Sequence, residues 1–131
     1  PMVALIDKGQ ADHRRCKATL KSLPPPLLTT WPCITEAMHF LKVLRGWNGQ
    51  DALWTLIEQN LIRIHAPSVD EWKRVRELMK QYQDTPMACA DASLVVLAEL
   101  TGFRTIFTLD GDFYVYRIHG KDAFEVIPHR R

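Results

Sequence analysis

DTPMACADASLVVLAELTGFRTIFTLDGDF, residues 84–113, decides how this chain is read. Residues 88–102 read as a helix with a small and apolar surface, on which Ala88, Ala90, Ala92, Leu94 and Val95 surround one acid, Asp91. Thr101-Gly102 ends that helix. A β-branched and aromatic run over residues 104–109 follows as a strand and closes in Asp110-Gly111-Asp112-Phe113. One carboxylate among buried-type residues at a helix start, and two more at a strand end, are costly to desolvate without cations or hydrogen-bond donors. The pattern points to a divalent metal as the missing cation.

On either side of this stretch, short apolar strands alternate with helices. Residues 14–23 have a helical pattern with Cys16, Leu20 and Leu23 inward, stopped by Pro24-Pro25-Pro26, and residues 27–31 read as a buried strand. Thr35-Glu36 opens a helix to about Arg45 with Ala37, Phe40, Leu41 and Leu44 inward. Gly46-Trp47-Asn48-Gly49 reads as a loop before a second helix, residues 50–59, with Leu53, Trp54, Leu56 and Ile57 on its apolar side. Residues 61–65 are a strand. Ser68 and Glu71 form a capping box for a helix expected to bury Val69, Trp72, Val75, Leu78 and Met79, and a last strand lies around residues 124–127.

This alternation argues for a parallel sheet covered by helices on both faces. In open α/β sheets ligands bind outside the carboxyl ends of the strands. Glu36 soon after the 27–31 strand, Asp110 at the end of the 104–109 strand and Asp91 near a helix start all fall on that edge. Each acid also has a plain alternative: a helix-start acid favours the helix dipole, and Asp-Gly is turn chemistry. Together, Glu36, Asp91, Asp110 and Asp112 form an oxygen-only set that suits Mg2+ or Mn2+, whereas zinc would favour His or Cys.

Composition sets the frame. The chain has 131 residues, 47% hydrophobic and 24% charged, which fits one soluble globular domain, and its net charge of +2 neither demands nor excludes a polyanionic partner. Cys16, Cys33 and Cys89 form no C-x-x-C pair and read as buried free thiols in a reducing cytoplasm; no stretch is apolar enough for a membrane span. His13, His39, His65, His119 and His129 lack metal-ligand spacing, and no Gly-rich phosphate loop or G-x-S-x-G nucleophile is present. Arg14, Arg15, Lys17, Lys21, Lys42 and Arg45 form one basic group and Arg117, Lys121, Arg130 and Arg131 another. Either group is a solvated face or a contact surface for RNA phosphates. Trp31, Trp54 and Trp72 read as core or dimer contacts, and Trp47, in its polar loop, as exposed.

Thr35-Glu36-Ala37, then Cys89-Ala90-Asp91-Ala92-Ser93-Leu94, then Thr108-Leu109-Asp110-Gly111-Asp112-Phe113 resemble, in that order, the PIN-domain nucleases and in particular the VapC-type toxins. The resemblance spans essentially the whole chain. It implies a three-layer α/β/α sandwich around a parallel sheet and a metal-dependent endoribonuclease using Mg2+ or Mn2+. Glu36, Asp91, Asp110 and Asp112 would be both its metal ligands and its catalytic residues. It also implies an RNA substrate, a cognate antitoxin, a homodimer and a cytoplasmic location, with no membrane contact.

The chain departs from that family at its start. Pro1-Met2-Val3-Ala4-Leu5-Ile6-Asp7 resembles the segment that follows the family's opening strand, which places that strand and its first acid upstream of Pro1. The rival alignment makes residues 3–6 the opening strand and Asp7 the first acid. On the favoured alignment residues 1–131 are a single domain lacking its first strand, and a catalytically incomplete RNA- or protein-binding module of the same fold is the alternative function. An unrelated receiver-like or phosphatase-like domain would want an early phosphoacceptor acid and a late Lys, for which no clear match exists.

Overall fold

Prolines and glycines punctuate the chain into eleven regular elements, and the computed structural model describes residues 1–128 of it. In order these are α1 (Met2–Ile6), α2 (His13–Lys21), β1 (Leu27–Thr30), α3 (Trp31–Glu58), β2 (Ile62–His65), α4 (Val69–Gln81), α5 (Cys89–Thr101), β3 (Thr105–Phe107), β4 (Arg117–Ile118), β5 (Asp122–Ala123) and β6 (Glu125–Ile127). A 3₁₀ turn, Gly111–Tyr114, separates β3 from β4. His129, Arg130 and Arg131 lie outside the described residues.

The parallel sheet comes as two pairs. β1 runs parallel to β2, with Leu27 opposite Ile62 and Thr30 opposite His65, and β3 runs parallel to β6, with Ile106 opposite Val126. β4 and β5 form a small antiparallel ribbon. The helices cover these strands in an α/β/α sandwich, as the alternation of elements requires. Each pair owns a core: Ile34, Ala37, Leu41, Leu53 and Ile62 pack under the first, and Val75, Leu78, Val95, Phe113, Tyr116 and Val126 under the second. No helix among the described residues is long and apolar enough to cross a membrane.

Several local expectations change. The loop expected at residues 46–49 is a kink inside one continuous helical region, where Gly46 leaves helical geometry at φ 60°, ψ −148°. That conformation is essentially closed to residues with a Cβ. Gly49 packs the two arms together, since a Cβ there would sit 2.8 Å from the Arg45 Cβ. The capping box at α4 is half formed: Ser68 Oγ accepts from Glu71 N at 3.4 Å, but the Glu71 carboxylate goes to His65 Nε2 at 2.9 Å. On that helix only Val75 and Leu78 are buried; Val69 is 72% exposed, and Trp72 and Met79 are also exposed. Phe40 and Leu44 of α3 are exposed too, and none of the four tryptophans enters the core. Cys16 and Cys33 are buried free thiols, but Cys89 is exposed.

The start of the chain is helical, so residues 3–6 are not a strand and Asp7 does not end one. Asp7 instead receives Arg45 Nε at 2.7 Å, Arg45 Nη2 at 2.6 Å and Gly9 N at 3.0 Å. The Arg45 guanidinium beside it, with the Gly9 N–H, holds its carboxyl below the usual carboxylate range. The pair fastens α1 to α3, which gives Arg45 a structural use in place of a free basic one.

Gly46→Ala is expected to lower stability by about 1–3 kcal/mol through backbone strain alone, because nothing lies within 4 Å of the added Cβ. Urea denaturation of the two proteins measures this.

Candidate metal centre

Helix α5 positions the first acid. Ala88 sits in extended geometry as its N-cap, and Gly102, at φ 77°, ends it in the left-handed conformation that glycine favours. Ala90 and Ala92 are small enough for the helix to press into the second core, so Asp91, between them, is carried inward to half burial. Ser93 Oγ lies 2.6 Å from Thr30 Oγ1 and donates to the Ala90 carbonyl at 2.6 Å. This buried hydroxyl pair locks the first turn of α5 to the carboxyl end of β1.

Strand β3 positions the other two acids. Thr108 Oγ1 accepts from Asp110 N at 3.0 Å, and Asp110 Oδ1 accepts from Asp112 N at 2.9 Å, which starts the 3₁₀ turn. The Asp-Gly-Asp turn foreseen from sequence is therefore real, and it also aims both side chains at α5. One carboxylate oxygen from each of Asp91, Asp110 and Asp112 lies within 4.8 Å of the others. All three residues are half-buried.

Three close carboxylates repel one another, and the consequence falls on Asp91. Burial first, then the charge of Asp110 and a shared hydrogen bond with it, push its pKa up to about 7, with a smaller contribution from Glu36. The Tyr116 hydroxyl donates to Asp91 Oδ2 at 3.3 Å and opposes that rise. Tyr116 is fully buried, stacked edge-on against Tyr82 and Phe113 at 5.1 Å each. Burial and the charge on Asp91 raise the phenol's own pKa, so it stays a donor.

Glu36 stands apart from this trio. It is exposed on α3, lines the same groove as Asp91 and Asp110, and its charge reaches Asp91, but it does not join the three converging carboxylates. Thr35 is also on α3, where its hydroxyl donates to the Trp31 carbonyl at 2.9 Å. Two of the described histidines serve the scaffold through their rings: His13 Nδ1 meets the Ala4 carbonyl at 2.7 Å and His65 Nε2 pairs with Glu71 at 2.9 Å.

The sequence pattern missed Tyr116, because an aromatic six residues past Asp110 carries no spacing signal. It missed the Thr30–Ser93 pair for the same reason, since those hydroxyls are far apart in the chain. The donor set present fits a hard divalent cation: it offers oxygen only, and its charge is uncompensated enough to lift Asp91 to about 7.

No family model matches the chain. Ribonuclease VapC26 of Mycobacterium tuberculosis is 26% identical over 128 residues, covering 97% of this chain and 95% of that protein. The crystal structure of Mycobacterium tuberculosis VapC20, a toxin that cleaves the sarcin–ricin loop, superposes with a TM-score of 0.80 at 21% identity, over 87% of this chain and 88% of that one. An α/β/α sandwich that delivers carboxylates from α5 and β3 to one edge of a parallel sheet is the class these observations define. Within it, the chain is similar in sequence to VapC26 and shares the fold of VapC20.

The raised pKa of Asp91 fixes a pH dependence. In the metal-free protein the folded form binds more protons than the unfolded form between about pH 4 and 7, so stability falls as pH rises through that window. Asp91→Asn should therefore raise the metal-free melting temperature at pH 8 by several degrees, on the order of 4 °C, and by much less at pH 4. Thermal melts in EDTA at the two pH values check the sign.

Proposed function

We propose that this chain is a metal-dependent endoribonuclease that hydrolyses RNA phosphodiester bonds as the toxin of a toxin–antitoxin pair. The observation that carries the reading is the convergence of Asp91, Asp110 and Asp112, acids from two separate elements, with oxygens within 4.8 Å. The RNA-cleaving activity in the names of VapC26 and VapC20 supports RNA as the substrate class.

In this reading Asp91, Asp110 and Asp112 would hold Mg2+ or Mn2+, and Glu36, which lines the same groove, would be a further oxygen donor to it. Such an ion supplies positive charge for a phosphate oxygen and a readily ionised water. The chain's own residues prepare for it. Asp110 is held by the Asp112 N–H so that one oxygen is already oriented, and Tyr116 fixes the rotamer of Asp91. Asp91 must release its proton when the cation enters, so affinity for the metal falls as pH drops below about 7. Arg14, Lys17, Lys21, Lys42 and Lys121 are exposed and available to RNA phosphates, whereas Arg117 is committed to the carbonyls of Tyr114, Val115 and Tyr116.

An antitoxin and a second copy of the chain belong to the same reading. Apolar side chains exposed on α3 and α4, Val43, Trp47, Val69 and Trp72 among them, are available to such partners. The alternative, a module of this fold that binds RNA or protein without cleaving it, is favoured by one observation: Glu36 lies outside the trio, which leaves three converging acids.

Cleavage of a labelled RNA, with a sarcin–ricin hairpin as first choice, should require Mg2+ or Mn2+ and stop in EDTA. Asp91→Asn and Asp110→Asn should each slow it by at least about 100-fold, since loss of metal charge stabilisation is worth several kcal/mol. Cleavage that persists in EDTA would sink the metal mechanism. Tight RNA binding without cleavage would establish the binding module.

A further inference from the structure

The converging acids ride on two separate supports. Asp91 is carried by α5, whose first turn Ser93 ties to Thr30 at the end of β1. Asp110 and Asp112 are carried by the 3₁₀ turn after β3, which the Thr108 hydroxyl and the Asp110 carboxylate hold in shape. Each support is braced within itself, and the spacing between them needs a separate tie.

The side chain of Tyr116 spans the two. Its backbone N–H donates to the Asp112 carbonyl at 3.1 Å, which fixes the base of the side chain to the turn. At the far end of the ring its hydroxyl donates to Asp91 Oδ2 at 3.3 Å. Between these ends a phenol has only two rotatable bonds, and here it is fully buried, with Tyr82 and Phe113 edge-on at 5.1 Å each. The backbone behind it is clamped as well. Arg117 Nη1 donates to the carbonyls of Tyr114, Val115 and Tyr116 at 2.8, 3.2 and 3.0 Å. A rigid ring pinned at both ends is a strut, and its length sets how far Asp91 stands from Asp112.

We propose, on the reading of the trio as a divalent-metal site, that Tyr116 is a positioning residue that makes the site prefer Mg2+ or Mn2+ over Ca2+. The hydroxyl engages Asp91 Oδ2, which leaves Asp91 one oxygen free for a cation and holds the carboxylate at one distance from Asp112. Mg2+ takes near-ideal octahedral geometry at about 2.0–2.1 Å, keeps several waters and needs few carboxylate oxygens. Ca2+ takes more oxygens at about 2.3–2.6 Å, in flexible arrangements that include carboxylates bound through both oxygens. Few oxygens held at fixed spacing suit the first ion; a carboxylate released to turn and offer both oxygens suits the second. Hydrogen bonds that orient a ligand from behind change metal affinity by about 10–100-fold. Removing the hydroxyl alone leaves the ring and its edge-on neighbours in place, so positioning and packing separate cleanly.

Calorimetric titration of Mn2+, Mg2+ and Ca2+ into the wild-type chain and into Tyr116→Phe tests this. Tyr116→Phe should weaken Mn2+ and Mg2+ while Ca2+ is unchanged or tighter, so that the Mg2+/Ca2+ affinity ratio falls by at least about 10-fold. Tyr82→Phe removes a hydroxyl from the same aromatic cluster, one that accepts from Arg117 N at 3.1 Å and not from an acid, and should shift the ratio far less. Both variants should keep cooperative melts in EDTA, since the ring contacts remain. An unchanged ratio in Tyr116→Phe, equal weakening of all three ions, or the same shift in Tyr82→Phe would each overturn the proposal and leave the metal reading standing. A wild-type chain that binds none of the three ions would overturn both.

Discussion

The half-burial of Asp91 beside Asp110 and Asp112 is the constraint around which the second half of the molecule is arranged. Three carboxylates offer oxygens within 4.8 Å of one another, and Asp91 is pushed to about 7, by its burial first and by the charge of Asp110 second. Unfavourable local interactions of this size persist only where neighbouring structure over-determines them. Here Ala90 and Ala92 let α5 sink into the core, Ser93 ties it to Thr30, and Arg74 holds its far end through paired bonds of 2.9 and 3.0 Å to Glu99. The Glu99 carboxyl illustrates the opposite balance: burial opposes its charge, but Arg74 and the His119 N–H outweigh it and its pKa falls. One helix thus carries a compensated acid at its end and an uncompensated one at its start, and only the latter is a place for a cation.

Helix α5 is also what joins the two halves of the sandwich. β1 and β3 share no ladder, so the hydroxyl contact from Ser93 to Thr30 and the packing of α5 on α3 and α4 hold the first core against the second. The edge-on aromatic chain Tyr82–Tyr116–Phe113–Phe124 stiffens the floor beneath the acids, with ring centroids 5.1–5.4 Å apart. Rigidity there matters because the geometry of a cation site is set by the least movable of its supports.

How much of this could be read from the sequence depended on whether a feature was local. The order of elements from α2 to β3, the α5 start with Asp91 and the Asp-Gly-Asp turn followed from periodicity and turn chemistry, which act over a few residues, whereas α1 and the β4–β5 ribbon did not. The α3 kink did not, because a loop and a helix that bends at Gly46 present the same glycine-rich letters. Burial on α4 and α3 was overread for a different reason. Val69, Trp72 and Phe40 fit the apolar spacing but are exposed, and whether such a residue is covered depends on tertiary packing that helical spacing does not encode. Tyr116 and the Thr30–Ser93 pair are tertiary contacts with no spacing rule to announce them.

The groove and the acid cluster are one electrostatic problem. Glu36, Asp91 and Asp110 line the carboxyl end of the space between β1 and β3, so whatever fills that space removes water from around the carboxylates. Lower polarity raises the cost of leaving them ionised and unpaired, and it strengthens their attraction to a divalent ion in the same proportion. Drying of the groove would therefore disfavour the metal-free, ionised site and favour the metal-bound one.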